Sequence, residues 1–292
     1  MYERKRFTVS LAGGRTLALG DRTLVMGILN VTPDSFSDGG ALPTAAAAVE
    51  VAERMVEAGA DLLDIGGEST RPGAEPVPAA QERDRVLPVL DALAKRVAVP
   101  ISIDTYKASV ADAALGAGAV MVNDVSGLRY EPELGQVVAR HGAAVVLMHT
   151  RGRSKDMYGQ ASYHDVVAEI LDEIRESVAF ATTAGIRRSS IIADPGLGFA
   201  KEAPHSFEAL GRLDAFAGLG LPLLVGPSRK SFLAKALGRH VPPAGRDWGT
   251  AAAVTAAVLS GAHIVRVHTV AEMVQVVRVA DEIRRYHQGR ES

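Results

Sequence analysis

The sequence predicts an α/β protein built around a (β/α)8 TIM barrel. Eight short apolar runs are each followed by a helix-compatible stretch, and strands that alternate with helices in this way form parallel sheets. Each run also ends in a polar or charged residue, as expected of a barrel whose reactive groups gather at its C-terminal rim. A doubly wound open sheet, the alternative, would concentrate such residues at one switch point. The runs are Leu24–Val31, Asp61–Gly67, Pro100–Thr105, Val120–Gly127, Ala143–Thr150, Ile191–Gly196, Pro222–Ser228 and His263–Thr269.

The elements follow in chain order. Residues 6–23 predict a β-hairpin that turns at Ala12-Gly13-Gly14 and caps the bottom of the barrel. Several of the amphipathic stretches end in glycine, which is typical of helix C-caps. We expect a single domain over 1–292, with the hairpin over 1–23 and the barrel over 24–292. The predicted helices are Ala45–Ala58, Ala79–Arg96, Ala108–Gly116, Pro132–His141, Asp165–Ala184, His205–Phe216, Gly249–Gly261 and Ala271–Tyr286.

Composition excludes several classes of function. The 292 residues carry a formal net charge of −2, which favours neither nucleic acid nor an anionic membrane as a partner. Cysteine is absent, so disulfides, thiolate metal sites and cysteine nucleophiles are excluded. No apolar run reaches the roughly 18 residues that a membrane helix needs, and the basic N-terminus leads into no stretch of signal-peptide length. We expect a cytoplasmic protein without a membrane partner.

Acidic and amide side chains end several of the predicted strands. Asp64, Asp104 and Asp194 follow apolar residues, and Asn123 occupies the same position in another run. Buried carboxylates cost several kcal/mol unless they are paired or hydrogen-bonded. One such residue would more often pair with a protein cation, whereas three at equivalent strand ends favour a donor-rich ligand. An amidine-like ring edge, such as a 2-aminopyrimidinone, would suit them.

Cations occupy other strand ends. Arg71 follows Glu68-Ser69-Thr70, Lys230 stands where a strand gives way to a helix, and Arg266 and His268 lie two apart on one strand face. Arginine and histidine near a helix start predict a phosphate or carboxylate site. For Arg229 a surface ion pair is at least as good an interpretation.

The sequence offers oxygen ligands for a hard metal ion, whereas it shows no spacing typical of a histidine or cysteine metal site. Asn30, Asp38 and Glu68 could bind Mg²⁺, which often takes one or two protein ligands and completes its shell with water and phosphate. His149 stands alone after its run, and neither HxH nor HExxH spacing occurs. Nucleoside-triphosphatase and serine-hydrolase motifs are absent as well.

The chain resembles the dihydropteroate synthases from about Leu24 to its C-terminus. The most specific segments are GILNVTPDSFSDGG and GPSRKSFL, because they separate this family from other pterin-binding barrels such as the methyltetrahydrofolate methyltransferases. The matching segments are GILNVTPDSFSDGG (27–40), DIGGESTRPGA (64–74), SIDTYK (102–107), NDVSG (123–127), LMHTRG (147–152), DPGLGFAK (194–201), GPSRKSFL (226–233), GTAAA (249–253) and RVH (266–268).

The resemblance implies an enzyme that joins 6-hydroxymethyl-7,8-dihydropterin pyrophosphate to p-aminobenzoate on the folate pathway, with Mg²⁺ as cofactor. The implied catalytic residues are Asp104, Lys230, Asp38 and Arg71. The implied pterin-binding residues are Asp104, Asn123, Met148, Asp194, Phe199, Gly226 and Lys230. Pyrophosphate would be bound by Asn30, Arg266 and His268, with Asn30 acting through the metal. The p-aminobenzoate site would comprise Phe36, Thr70, Arg71, Pro72, Phe199, Lys230 and Ser231.

The same resemblance implies a dissociative mechanism, inhibition by sulfonamides and a homodimer formed through the last helices. One departure is visible: Arg153-Ser154 stands where family members often have Thr-Pro. Two alternatives stay open. A corrinoid-dependent pterin methyltransferase domain would not need the SRKSF and RVH groups. A non-catalytic pterin-binding paralogue would be expected to have lost Asn30, Arg71, Lys230 or His268.

Overall fold

The computed structural model describes residues 4–32, 45–71, 73–238 and 241–288. Within these residues an eight-stranded parallel sheet curls into a barrel. Its strands are apolar on both faces, because the barrel interior and the outer helices cover them. A two-stranded hairpin precedes them. In chain order the strands are β1 (Phe7–Ser10), β2 (Thr16–Leu19), β3 (Leu24–Asn30), β4 (Leu62–Gly66), β5 (Ile101–Asp104), β6 (Met121–Asp124), β7 (Ala144–Met148), β8 (Ile191–Asp194), β9 (Leu224–Val225) and β10 (Ile264–Val267).

The barrel strands pair in chain order, and β10 returns to β3. Between β8 and β9 the ladder is reduced to one parallel bridge from Ala193 to Leu223, with the Ala193 amide 2.9 Å from the Pro222 carbonyl oxygen. The predicted barrel is therefore confirmed, and all eight C-terminal strand ends meet at one rim.

The predicted hairpin is confirmed and closes the opposite end. Val9, Leu11 and Leu19 are buried against the first residues of the barrel strands. The amide of Ala12 donates to the Val120 carbonyl oxygen at 3.3 Å, and the Phe7 ring meets His263 edge-on. Each fully buried Val or Leu contributes about 2 kcal/mol, so the hairpin seals the bottom of the barrel with apolar surface.

The helices cover the barrel. One expectation is wrong: the predicted helix His205–Phe216 ends at Gly211, and a 3-10 helix over Leu213–Leu219 follows, because Arg212 leaves helical geometry at φ −112° and ψ 29°. The seventh unit also carries a short extra helix after its strand. The helices are α1 (Ala45–Glu57), α2 (Ala79–Leu93), α3 (Ala108–Gly116), α4 (Glu133–His141), α5 (Val166–Thr183), α6 (Ala203–Gly211), α7 (Ser231–Ala236), α8 (Asp247–Leu259) and α9 (Val270–Gln288).

No helix within the described ranges has both the length and the apolar content to cross a membrane. The prediction of one domain over 1–292 stays a prediction.

Candidate active site

The strand-end residues that the sequence predicts converge at the C-terminal rim. Register places Asn30, Gly66 and Asp104 side by side on three neighbouring strands, and Asn123 pairs with Asp104. On the other side of the barrel Met148 pairs with Asp194, and Arg266 lies on the strand beside β3. These positions are the last or near-last residues of their strands, so parallel register alone brings their side chains to one cavity.

Arg266 joins the acidic residues at the centre of the rim. Its Nε donates to Asp64 Oδ2 at 2.6 Å and its Nη2 donates to Asp104 Oδ2 at 2.6 Å. Asn123 Nδ2 donates to the same Asp64 oxygen at 2.8 Å. Asp64 Oδ1 is buried and has no hydrogen-bond partner among the described residues. A buried acceptor without a partner costs free energy, so this edge of the cluster is suited to a ligand that brings its own donors.

Burial shifts the titration of the groups around Arg266. It raises the pKa of Asp104 to about 7, against the opposing effect of the Arg266 guanidinium. The pKa of Asp194 is also raised by burial, although Lys230 and the Gly196 amide favour its charged form. The same removal from water lowers the pKa of Lys230 to about 8. Titratable groups whose pKa values are displaced in a cavity are typical of functional sites.

An apolar wall stands beside these charges. Met148 packs in a cluster with Tyr106, Val125, Tyr130 and Phe199. Lys230 donates to the Leu197 carbonyl oxygen, and its Nζ lies 4.4 Å from the centre of the Phe199 ring. Charged hydrogen-bonding groups therefore border a wall of flat and thioether side chains, which suits a polar aromatic ring.

The His268 side chain is held by Ser228, a residue to which sequence reasoning gives no role. Ser228 Oγ accepts from the His268 backbone amide at 3.2 Å and lies 2.9 Å from Nδ1. When the hydroxyl donates to Nδ1, the proton of the neutral ring is on Nε2. Burial, with Arg266, Arg229 and Arg71 nearby, lowers the pKa of His268 to about 3. His268 can thus offer one N–H to an anion without carrying charge.

Three further residues lie after β9 at the same rim of the barrel. Gly226 is buried, and a Cβ added there would lie 3.7 Å from Arg266 Cβ. Arg229 pairs with Asp247, its Nε 2.7 Å from Oδ1, so its interpretation as an ion pair is confirmed. Ser231 is the first residue of α7 and is exposed.

The loop after β4 is anchored by Glu68. That carboxylate accepts from the Tyr106 hydroxyl at 2.9 Å, from the Val77 amide at 2.7 Å and from Lys107 at 2.5 Å. Lys107 also donates to the buried Glu82. Glu68 is therefore engaged by protein donors, and its suggested role as a metal ligand stays a prediction.

Thr70 and Arg71 follow Glu68 in the same loop. Thr70 is half-buried and Arg71 is exposed, and the charge of Arg71 reaches His268. The anchor at Glu68 thus positions two of the predicted p-aminobenzoate contacts. Phe36, Asp38 and Pro72, the other predicted contacts in the loops, lie outside the described residues.

The surroundings of Asn30 fit a magnesium ion. A Cβ on Gly66 would lie 3.6 Å from Asn30 Oδ1 and 3.6 Å from Asp104 Oδ2, so the glycine keeps the space between these oxygens open. An amide oxygen beside a carboxylate is a hard donor set, which Mg²⁺ prefers. Within 4–32, 45–71, 73–238 and 241–288 no three His, Cys, Asp or Glu residues form a metal cage. The residues fit a metal that binds few protein ligands.

Lys201 organises the loop after β8, and sequence reasoning assigns it no role. It is 1% exposed, and its Nζ lies 2.7 Å from His149 Nδ1, 3.0 Å from the Phe199 carbonyl oxygen and 3.1 Å from that of Gly196. Gly196 has φ +67°, and a Cβ there would collide with the carbonyl oxygen of His149. The lysine and the glycine together fix the backbone that carries Leu197 and Phe199.

The sequence suggested that His149 stands alone, whereas its side chain has partners in Glu173 and Lys201. Its Nε2 lies 3.1 Å from Glu173 Oε2, while Nδ1 faces Lys201. Burial lowers the pKa of His149 to about 3. A neutral ring in this arrangement accepts at Nδ1 and donates from Nε2, so His149 links the loop after β8 to α5 and is not a metal ligand here.

Comparison with known proteins agrees with this geometry. Residues 26–268 match the family model of pterin binding enzymes. The dihydropteroate synthase of Synechocystis sp. is 48% identical over 278 residues, covering 95% of this chain and 96% of that protein. The dihydropteroate synthase of Bacillus subtilis is 44% identical over 265 residues, which cover 91% of this chain and 90% of that protein.

Solved structures give the same result. The Xanthomonas albilineans dihydropteroate synthase with 4-aminobenzoic acid superposes with a TM-score of 0.88 at 44% identity, covering 96% of this chain and 98% of that one. A Yersinia pestis dihydropteroate synthase in complex with a sulfonamide drug gives a TM-score of 0.89 at 43% identity, covering 96% of this chain and 99% of that one. The chain belongs to the dihydropteroate synthase family of transferases.

Proposed function

We propose that this protein condenses 6-hydroxymethyl-7,8-dihydropterin pyrophosphate with p-aminobenzoate, giving 7,8-dihydropteroate and pyrophosphate. The observation that carries the proposal is the Arg266 cluster: a half-buried arginine between two carboxylates, one of which, Asp64, keeps a buried oxygen without a described partner. Such a site recognises a donor-rich ring and stabilises charge next to it. The Xanthomonas albilineans relative has been solved with 4-aminobenzoic acid and with 7,8-dihydropteroate.

The pterin would lie against Met148 and Phe199. Asp194 would accept from its 2-amino group and a ring N–H, and Asn123 and Asp104 would contact other ring nitrogens. Lys230 would donate to a ring acceptor, and Gly226 would let the ring approach Arg266. The burial of Asp194 and Asn123 supports these roles, because a buried polar group gains most from a matched partner.

The pyrophosphate would be bound by Arg266, His268 and Asn30. Arg266 would bring positive charge, and the neutral His268 ring would offer an N–H. Asn30 would hold Mg²⁺. When bound, that ion supplies positive charge to the pyrophosphate.

The reaction would be dissociative. The bond between the pterin methylene carbon and the pyrophosphate oxygen breaks, and its electron pair leaves with the pyrophosphate. The methylene becomes cationic, and ionised Asp104 offsets that charge. The neutral amine of p-aminobenzoate then attacks the methylene and loses a proton to solvent. An arylamine needs no strong base to attack a cationic methylene.

The p-aminobenzoate would lie between the loop after β4 and α7. Thr70, Arg71 and Phe199 would contact it, as would Phe36 and Pro72 from the loops outside the described residues. Lys230 would offset its negative charge, and Ser231 would bind its carboxylate. Asp38 would act in the same loops. Since sulfonamides resemble p-aminobenzoate, we expect them to inhibit competitively. Turnover that persists at saturating sulfamethoxazole would contradict this.

A homodimer and a cytoplasmic location complete the proposal. Val279, Ile283 and Tyr286 on α9 are 62%, 50% and 76% exposed, and an apolar stripe of this kind suits a contact with a second copy. Sedimentation equilibrium should give twice the chain mass, and Ile283→Lys should shift it toward the monomer. The lack of cysteine suits a reducing compartment.

The direct test is an assay with dihydropterin pyrophosphate, radiolabelled p-aminobenzoate and Mg²⁺. Labelled dihydropteroate should form, and it should be lost without Mg²⁺ and in Lys230→Ala. Tight pterin binding by calorimetry without any product would instead indicate a non-catalytic pterin-binding protein.

A further inference from the structure

The loop between β7 and α5, residues 149–165, contacts both sides of the proposed p-aminobenzoate site. On one side Ser154 meets the loop after β4: its carbonyl oxygen accepts from the Gly73 amide at 2.9 Å, and its Oγ lies 3.4 Å from the Thr70 carbonyl oxygen. On the other side Tyr158 reaches across to α7. The two sides of the proposed site are therefore connected through this loop.

Tyr158 is held by its own loop. It lies in a 3-10 helix over Met157–Gln160, in which the neighbouring Met157 is 2% exposed. The Met157 amide donates to the Arg153 carbonyl oxygen at 2.8 Å, which closes the turn. Tyr158 itself is 40% exposed. The ring thus stands at the solvent edge on a fixed backbone.

The Tyr158 hydroxyl lies between two groups of the site. It is 3.3 Å from the Gly198 carbonyl oxygen and 3.3 Å from Ser231 Oγ. The two hydroxyls of Tyr158 and Ser231 carry two protons, whereas Gly198 offers one carbonyl to this group. Tyr158 donates to that carbonyl in the free protein, and its O–H can turn to a stronger acceptor, because hydroxyl protons rotate to suit their partners.

The charge around this hydroxyl pair favours an anion. Lys230 donates to the carbonyl oxygen of Leu197, the residue before Gly198, and its Nζ lies over the ring of Phe199, the residue after it. Two hydroxyls at a segment that also binds an ammonium suit a carboxylate, which accepts several hydrogen bonds at once.

We propose that Tyr158 is a specificity-determining residue for the aromatic acid, its hydroxyl binding the carboxylate of p-aminobenzoate together with that of Ser231. This inference rests on the proposed function. It adds a contact from the β7–α5 loop to a site otherwise assigned to the loop after β4 and to α7. It also gives the loop, in which Arg153-Ser154 departs from the family pattern, a part in substrate recognition.

The test is Tyr158→Phe, which removes only the hydroxyl. A hydrogen bond to a charged group is worth roughly a tenfold change in affinity or more. We expect KM for p-aminobenzoate to rise roughly tenfold, with KM for the pterin pyrophosphate unchanged. Inhibition by 4-aminobenzamide, which has no carboxylate, should be the same in variant and wild type.

Tyr163→Phe is the matched control. Tyr163 lies in the same loop and donates to the Ala200 carbonyl oxygen at 2.9 Å, and its ring faces Arg151 instead of Ser231. It loses the same hydroxyl from the same loop, so both KM values should stay at the wild-type level.

The outcomes separate the inference from the function on which it rests. A wild-type protein that makes no dihydropteroate would overturn the proposed function, and this inference with it. An active wild type whose Tyr158→Phe variant keeps its KM for p-aminobenzoate would overturn the inference alone. An equal rise in both KM values would also overturn the inference. An equal loss of inhibition by 4-aminobenzamide would do the same, because either result would indicate a loosened loop.

Discussion

Two basic side chains at the rim, buried Lys201 and half-buried Arg266, differ in how fully the protein satisfies their surroundings. Lys201 Nζ has four acceptors within 3.3 Å, all from the protein. Arg266 holds two carboxylates together, and one of them, Asp64, keeps a buried oxygen without a described partner. The first arrangement is complete without a ligand and the second is not.

The difference indicates what each cation is for. A fully hydrogen-bonded buried group rigidifies its surroundings, and Lys201 does so for the backbone of the loop after β8. A cluster with crowded carboxylates and an unused acceptor costs stability, and such costs are typical of functional sites. Substitutions at Lys201 should therefore affect mainly folding, and substitutions in the Arg266 cluster mainly the reaction.

The largest effect should come from Asp104→Asn. The amide keeps the shape but cannot offset a cationic methylene, so kcat should fall by roughly 10²–10³, as when one preorganised electrostatic group is lost. Steady-state kinetics would give kcat, and calorimetry would give the Kd for the pterin pyrophosphate. Losses of equal size in kcat and in pterin affinity would argue against charge stabilisation by Asp104.

Lys201→Met should have its main effect on stability. The substitution removes the donor from three buried carbonyl oxygens and from His149, so the free energy of unfolding should fall by about 3 kcal/mol or more. Urea denaturation followed by circular dichroism measures it. Lys155→Met is the matched control, because Lys155 is exposed and pairs only with exposed Glu75; its effect should stay within about 0.5 kcal/mol. Comparable losses in both variants would show that burial of Lys201 contributes little.

The smallest effect is the pH dependence that Lys230 should give to kcat/KM. Burial lowers the pKa of Lys230 to about 8, so kcat/KM for the pterin pyrophosphate should fall about tenfold per pH unit above that value as the ammonium loses its proton. Lys230→Arg stays charged throughout, and its profile should lack this alkaline limb. An unchanged limb in the arginine variant would assign the titration to another group.

Much of the fold could be predicted from the sequence, because it depends on local patterns. Strand runs and the Ala12-Gly13-Gly14 turn carry their own signals. The helix predicted over His205–Phe216 is interrupted instead, because Gly211 and Arg212 break an apolar pattern that continues across them. Apolar periodicity does not distinguish one helix from two short ones in succession.

The site could be predicted where it depends on strand ends. Asp104, Asn123 and Arg266 follow apolar runs, and parallel register brings them together. Lys201 and Glu68 depend instead on partners distant in the chain, His149 and Lys107 respectively. Nothing in the local sequence indicates where those side chains point, so neither the role of Lys201 nor the protein donors to Glu68 could be predicted.

The most direct test of the contrast between the two cations is the free energy of unfolding of Asp104→Asn, measured in urea at pH 8 beside Lys201→Met. That pH lies above the pKa of about 7, so Asp104 is mostly ionised, and the amide removes the cost of its burial while Arg266 keeps Asp64. We predict that Asp104→Asn is as stable as the wild type or more stable, despite its lost activity, and that Lys201→Met is less stable. A loss of stability in Asp104→Asn as large as that in Lys201→Met would contradict the account, because the carboxylate would then be part of the framework.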